Sequence, residues 1–133
     1  MRYLGIDYGE KRIGVALSDV EGKIAFPHAT ISVKNHDDPK IIIMLREMAT
    51  NEGASTIVLG LPKALDGHET HQTVVTRRFA EKLKKSLSLP VHYEDEIFTT
   101  RIAAQSGVAK KRRDAASAAI VLQSYLDRKN RVT

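Results

Sequence analysis

The chain has 133 residues, of which 42% are hydrophobic, a formal net charge of +5 and no cysteine. This length suits one domain with a core of its own, spanning residues 1–133. The missing cysteines exclude disulfides and thiolate metal sites and fit a reducing cytoplasm. With no signal-like apolar segment and no run near the roughly 18 residues of a membrane span, the expectation is a cytoplasmic chain without a membrane partner.

Residues 2–8 and 12–18 read as two strands joined by Gly9-Glu10-Lys11. In the second strand Ile13, Val15 and Leu17 share one face, with Arg12, Gly14, Ala16 and Ser18 on the other. A third strand is expected over 23–33, with an interruption at Pro27. Asp38 before Pro39 predicts a helix start, with the helix running to Asn51 and stopping near Gly53. The apolar run 55–61 predicts a strand covered on both faces. A loop leads to a helix over 70–86, with Val75, Phe79 and Leu83 on its inner face. The strand VHYED (91–95) follows, then a short helix capped by Thr99 or Thr100 and ended by Gly107. A last helix from Arg113 to Lys129 carries Ala118, Val121, Leu122 and Tyr125 on one stripe. Three strands followed by strand–helix alternation predict an α/β fold, a mixed sheet with helices packed on its faces.

Carboxylates interrupt this apolar pattern in three places. Asp7 shares a strand face with Tyr3 and Gly5, and the small Gly14 and Ala16 leave room above it if the first two strands pair. Glu94, Asp95 and Glu96 close the last strand, and Asp114 opens the last helix in line with its buried stripe. An unpaired carboxylate facing a core is costly, and converging carboxylates repel until some take up protons. A divalent cation removes both problems, and an all-oxygen ligand set suits Mg²⁺ or Mn²⁺ rather than zinc.

Two local readings compete. Asp7 can form an Asx-turn ahead of Gly9, and Asp114 can be simply a helix cap. His68 and His71 have ligand-like spacing but lie in a polar loop-to-helix junction, where solvated histidines are the rule; Thr70 has no nucleophile constellation around it.

Positive charge is clustered at Lys11 and Arg12, at Arg77 and Arg78, at Lys82, Lys84 and Lys85, at Lys110, Lys111, Arg112 and Arg113, and from Arg128 to Arg131. Such clusters attract polyanions through phosphate contacts and counterion release. Metal-binding acids near a basic surface point to phosphodiester hydrolysis.

Several runs then point to a family. LGIDYGEKRIGVALSD, IVLGLPKALDGHE with RRFAEKL, DEIFTT and DAASAAIVLQSYLD together resemble the bacterial YqgF/RuvX family, in order and over nearly the whole chain. Its members are described as Holliday-junction-resolvase-like and as nucleases maturing the 5′ end of 16S ribosomal RNA. The resemblance implies a ribonuclease-H-like fold, with the first three strands antiparallel and the later ones parallel. Carried over by position, the family's first-strand acid is Asp7, its Asp-Glu pair is Asp95 and Glu96, and its last-helix acid is Asp114. The metal ligands implied are Asp7, Glu96 and Asp114, with Asp95 a further catalytic candidate. Two departures stand out: Ile97 and Phe98 replace the family's Arg and Leu after the acid pair, and the segment between Thr100 and Asp114 is shorter than usual.

The leading expectation is therefore a metal-dependent endonuclease with RNA favoured over DNA, a monomer or weak homodimer. In it, Lys11, Arg12, Lys110, Lys111, Arg112 and Arg113 grip phosphates, which fixes position without sequence specificity. A Holliday-junction resolvase would need two symmetric sites and hence a dimer. A nucleic-acid-binding module without catalysis is the alternative if the two departures weaken the site. Actin-like ATPases and sugar kinases share an Asp-x-Gly after the first strand, but need two such domains around a nucleotide.

Overall fold

The computed structural model describes residues 1–97, apart from the side chain of Ile97, and residues 114–131. Among the described residues five strands form one sheet: β1 (Tyr3–Tyr8), β2 (Arg12–Ser18), β3 (Ala25–Ser32), β4 (Thr56–Lys63) and β5 (Val91–Ile97), in the order β3-β2-β1-β4-β5. The first three run antiparallel, whereas β4 and β5 run parallel to β1. Helices α1 (Asp38–Glu52) and α2 (His71–Leu87) cover one face, and α3 (Ala115–Lys129) covers the other. The expected helix between Thr99 and Gly107 lies outside the described residues. No helix among the described residues is long and apolar enough to cross a membrane.

Strand alternation generates two cores. Leu4, Ile6, Ile13, Val15, Leu17, Ile57 and Leu59 point to α1 and α2, where they meet Ile41, Leu45, Phe79 and Leu83. Tyr3, Ala16 and Val58 point the other way and pack under Ala118, Leu122 and Leu126 of α3. The sheet centre is therefore buried on both sides, which accounts for the unbroken apolar run in β4. On the α3 face small residues bring the helix down onto the strands. An ideal Cβ at Gly5 would lie 2.8 Å from the Leu122 Cβ.

Several boundaries differ from expectation for identifiable reasons. Asp37, not Asp38, caps α1: its backbone is extended and its carboxylate accepts the Lys40 N–H at 3.1 Å. Pro39 then sits in the first turn, where its missing N–H costs nothing, and Asp38 is left to pair with Lys82 of α2. β3 is shorter than 23–33, yet it runs through Pro27 without interruption. It is an edge strand, so proline loses no ladder partner, and the register slips beside it, with Val15 opposite Ala29 and Ala16 opposite Pro27. β4 continues to Lys63 because β5 pairs with it as far as Ile97. The turn between β2 and β3 is tied by Asp19, whose carboxylate accepts the N–H groups of Lys23 and Ile24. Those backbone bonds, Ile24's first, hold its pKa below the usual value.

One buried group is mismatched with its surroundings. Thr76 of α2 is fully buried, and its hydroxyl has no hydrogen-bond partner among the described residues. A buried orphan hydroxyl costs about 1–3 kcal/mol, and valine has nearly the same shape. Thr76→Val is thus expected to stabilise the fold by about 1 kcal/mol, seen as a rise of a few degrees in thermal midpoint. An unchanged or lowered midpoint would mean that the hydroxyl is satisfied in solution.

Candidate active site

The carboxylates fall at one end of the sheet, beneath the start of α3. Asp7 is the fifth residue of β1 and only 1% exposed. Being in phase with Gly5, it faces α3, not α1 and α2. In register it lies opposite Gly14 of β2, which lies opposite Thr30 of β3. On its other side, the β1–β4 ladder pairs Ile6 with Leu59, so Gly60 comes next beside Asp7. Thr30, Gly14, Asp7 and Gly60 thus form a row across four strands on the α3 face.

The first turn of α3 rests on this row. An ideal Cβ at Gly14 would lie 1.9 Å from the Asp114 carbonyl oxygen and 2.3 Å from its carbon, so only glycine admits the backbone there. Asp114 is half-buried and forms the N-cap of α3, its carboxylate accepting the Ser117 N–H at 3.0 Å. The helix proper begins at Ala115, later than the expected Arg113. At the other end of the row, an ideal Cβ at Gly60 would lie 2.8 Å from Glu96 Oε1 and 3.3 Å from the Val121 methyls. Glu96 therefore lies over Gly60, on the same face as Asp7 and Asp114.

Asp95 requires a correction. Alternation along β5 turns it to the α1/α2 face, where it is exposed and pairs with Lys63 at 3.1 Å. It does not join the other acids. Nearby on that face, the Arg77 guanidinium and the Lys84 ammonium lie over the Tyr93 ring. Arg77 also pairs with Glu69, holding the Glu69 pKa below its usual value chiefly through the side-chain hydrogen bond. Glu94 shares the face of Glu96 but is tied down: buried, it accepts from Ser124 Oγ at 2.8 Å and pairs with Arg128 of α3.

Of the expected phosphate-gripping residues, Lys11 is exposed in the β1–β2 connection and Arg12 is exposed at the start of β2. Arg12 is in phase with Gly14 and so belongs to the α3 face. Lys110, Lys111, Arg112 and Arg113 lie outside the described residues. His68 is held by Asp66 in the exposed loop after β4 and joins no metal-binding cluster among the described residues. Thr30 is the site position that sequence reasoning missed, because it touches a residue 85 positions away.

Among the described residues, no three acidic, histidine or cysteine side chains stand close enough to hold an ion as they are. The backbone nevertheless brings three carboxylate positions to one face, with glycines wherever a Cβ would crowd them. All donors are carboxylate oxygens, which suit a hard divalent cation. In that respect Asp7, Glu96 and Asp114 fit Mg²⁺ or Mn²⁺.

A family model described as "RuvX: Holliday junction resolvase" matches residues 1–128. A Fusobacterium nucleatum protein named "Putative pre-16S rRNA nuclease" is 39% identical, over 96% of this chain and 98% of its own. A protein of the same name from Nitratidesulfovibrio vulgaris is 40% identical, over 96% and 94%. Among solved structures, T. thermophilus RuvC in complex with a Holliday junction substrate superposes with a TM-score of 0.62. That match covers 97% of this chain and 96% of the other at 16% identity, a likeness of fold. The architecture is accordingly ribonuclease-H-like.

Proposed function

The chain belongs to the RuvX family, and from that premise we propose that it is a metal-dependent endonuclease that processes the 5′ end of the 16S ribosomal RNA precursor in the cytoplasm. The observation that carries the reading is the near-complete burial of Asp7 on the face it shares with Glu96 and Asp114. A turn-forming aspartate has no need of that location.

In this reading Asp7, Glu96 and Asp114 hold Mg²⁺ or Mn²⁺. When bound, the cation supplies Lewis acidity at the scissile phosphoryl group and lowers the pKa of the attacking water. Arg12, on the face of the acids, and Lys11 beside it neutralise the backbone phosphates that flank the scissile bond. Lys110, Lys111, Arg112 and Arg113 are proposed to extend that grip. Glu94, locked to Ser124 and Arg128, keeps α3 pressed onto β5 and is not a ligand.

A second reading, cleavage of branched DNA, is favoured by the family description and by the likeness to a RuvC bound to a Holliday junction. It demands a dimer with two symmetric sites. The test is to incubate the purified protein with 16S precursor RNA, unrelated linear RNA and four-way DNA junctions, with and without Mn²⁺. The expected result is Mn²⁺-dependent cleavage at the precursor's 5′ end. Cleavage confined to junctions would favour the second reading, and tight binding without cleavage, with or without Mn²⁺, would leave a binding module. In the same assay, glutamine at Lys11 and Arg12 is expected to weaken RNA binding. It should also flatten the log–log salt dependence by about 0.7 for each phosphate no longer neutralised; an unchanged slope would move the grip elsewhere.

A further inference from the structure

We propose that Thr30 is a positioning residue for the metal site, acting through the first turn of α3. Its hydroxyl accepts the Ala115 N–H at 3.0 Å, a bond from an edge strand to the opening residue of a helix 85 positions away. This rests on the reading of Asp7, Glu96 and Asp114 as metal ligands.

A helix leaves its first four N–H groups without internal partners. Asp114 satisfies one of them, that of Ser117, and cannot also reach back to Ala115. Thr30 supplies the second acceptor, from outside the helix. Its position decides what the bond does. Thr30 ends the cross-strand row that runs through Gly14 to Asp7, and Gly14 presses directly on the Asp114 backbone. Contact with Gly14 sets the height of the helix start above the sheet, and Gln123, bonded to Ala25 and Lys23, anchors α3 about two turns further on. The hydrogen bond to Thr30 ties the first turn itself, fixing on which side of Gly14 the Asp114 carboxylate stands relative to Asp7. Removing residues that orient ligands in this way commonly weakens metal affinity by about 10-fold or more.

The side chain is exposed on an edge strand, so the β-branched valine replaces it without crowding. The experiment follows thermal unfolding as a function of Mn²⁺ concentration for the full chain, Thr30→Val and Thr30→Ser, with cleavage measured in parallel. Thr30→Val is expected to need about 10-fold more Mn²⁺ for half of the metal-induced rise in midpoint. Thr30→Ser, which keeps the acceptor, should fall within about twofold of the unaltered chain on the same scale. A purely structural cap would lower the metal-free midpoint and leave the Mn²⁺ dependence unmoved, and that result would overturn the proposal. Equal loss in the valine and serine variants would overturn it too, since the hydroxyl would then be irrelevant. Should the unaltered chain show neither a Mn²⁺-induced rise nor metal-dependent cleavage, the metal-site reading itself fails, and the inference with it.

Discussion

Asp7→Asn is expected to abolish metal-dependent cleavage, a loss on the order of 10³-fold, while the chain stays folded. Asparagine keeps the shape of the side chain and removes the charge that a divalent cation needs. A metal supplying several kcal/mol of transition-state stabilisation is worth about that factor, at 1.36 kcal/mol per decade. Without metal, the variant should remain cooperatively folded, since asparagine keeps the volume of a side chain that is only 1% exposed. Thermal unfolding in EDTA, cleavage at saturating Mn²⁺ and the Mn²⁺-induced shift in midpoint together decide the matter. A strongly destabilised protein that still cleaves normally per folded molecule would make Asp7 a turn former. The reading of the site would then collapse.

Gly14→Ala is expected to damage stability and activity together. The new Cβ would lie 1.9 Å from the Asp114 carbonyl oxygen and 3.0 Å from its Cα. Those atoms are backbone and cannot swing aside, so the start of α3 must lift from the sheet. Overpacking of this kind costs about 1–3 kcal/mol, and a displacement near 1 Å at a reacting centre costs about 10²-fold in rate. Gly53→Ala provides the control. Gly53 ends α1 at a φ of 69° with nothing within 4 Å of its ideal Cβ. Alanine there is strained only through the backbone, at about 1–2 kcal/mol, far from the carboxylates. Gly53→Ala should lose stability and retain cleavage per folded molecule, whereas Gly14→Ala should lose both. Equal specific activity in the two would show that the height of α3 above the sheet does not matter to the chemistry.

Much of the fold was readable from local pattern. The faces of β1 and β2, the apolar stripe of α3 and the Thr70 start of α2 each follow from spacing within one segment. Where boundaries were misplaced, a partner elsewhere in the chain had decided. β4 runs two residues further than its apolar run because β5 continues beside it. Asp38 yields the cap to Asp37 while it pairs with a lysine on another helix. The acid pair shows the same division. Alternation within β5 requires Asp95 and Glu96 to face opposite ways, but that rule is silent on which of them meets Asp7.

The sequence by itself determined that Asp7 and Gly5 share a strand face, that Gly14 and Ala16 are small where the neighbouring strand passes, and that Asp114 opens a helix. These are consequences of strand and helix periods, which a segment carries wherever it is placed. Only the tertiary structure decided that Glu96 rather than Asp95 shares the face of Asp7, that Gly60 makes room for it, and that Thr30 ties down the first turn of α3. Each depends on strand order, register and the face on which a helix docks. Those are set by packing between segments distant in the chain, and no local period encodes them.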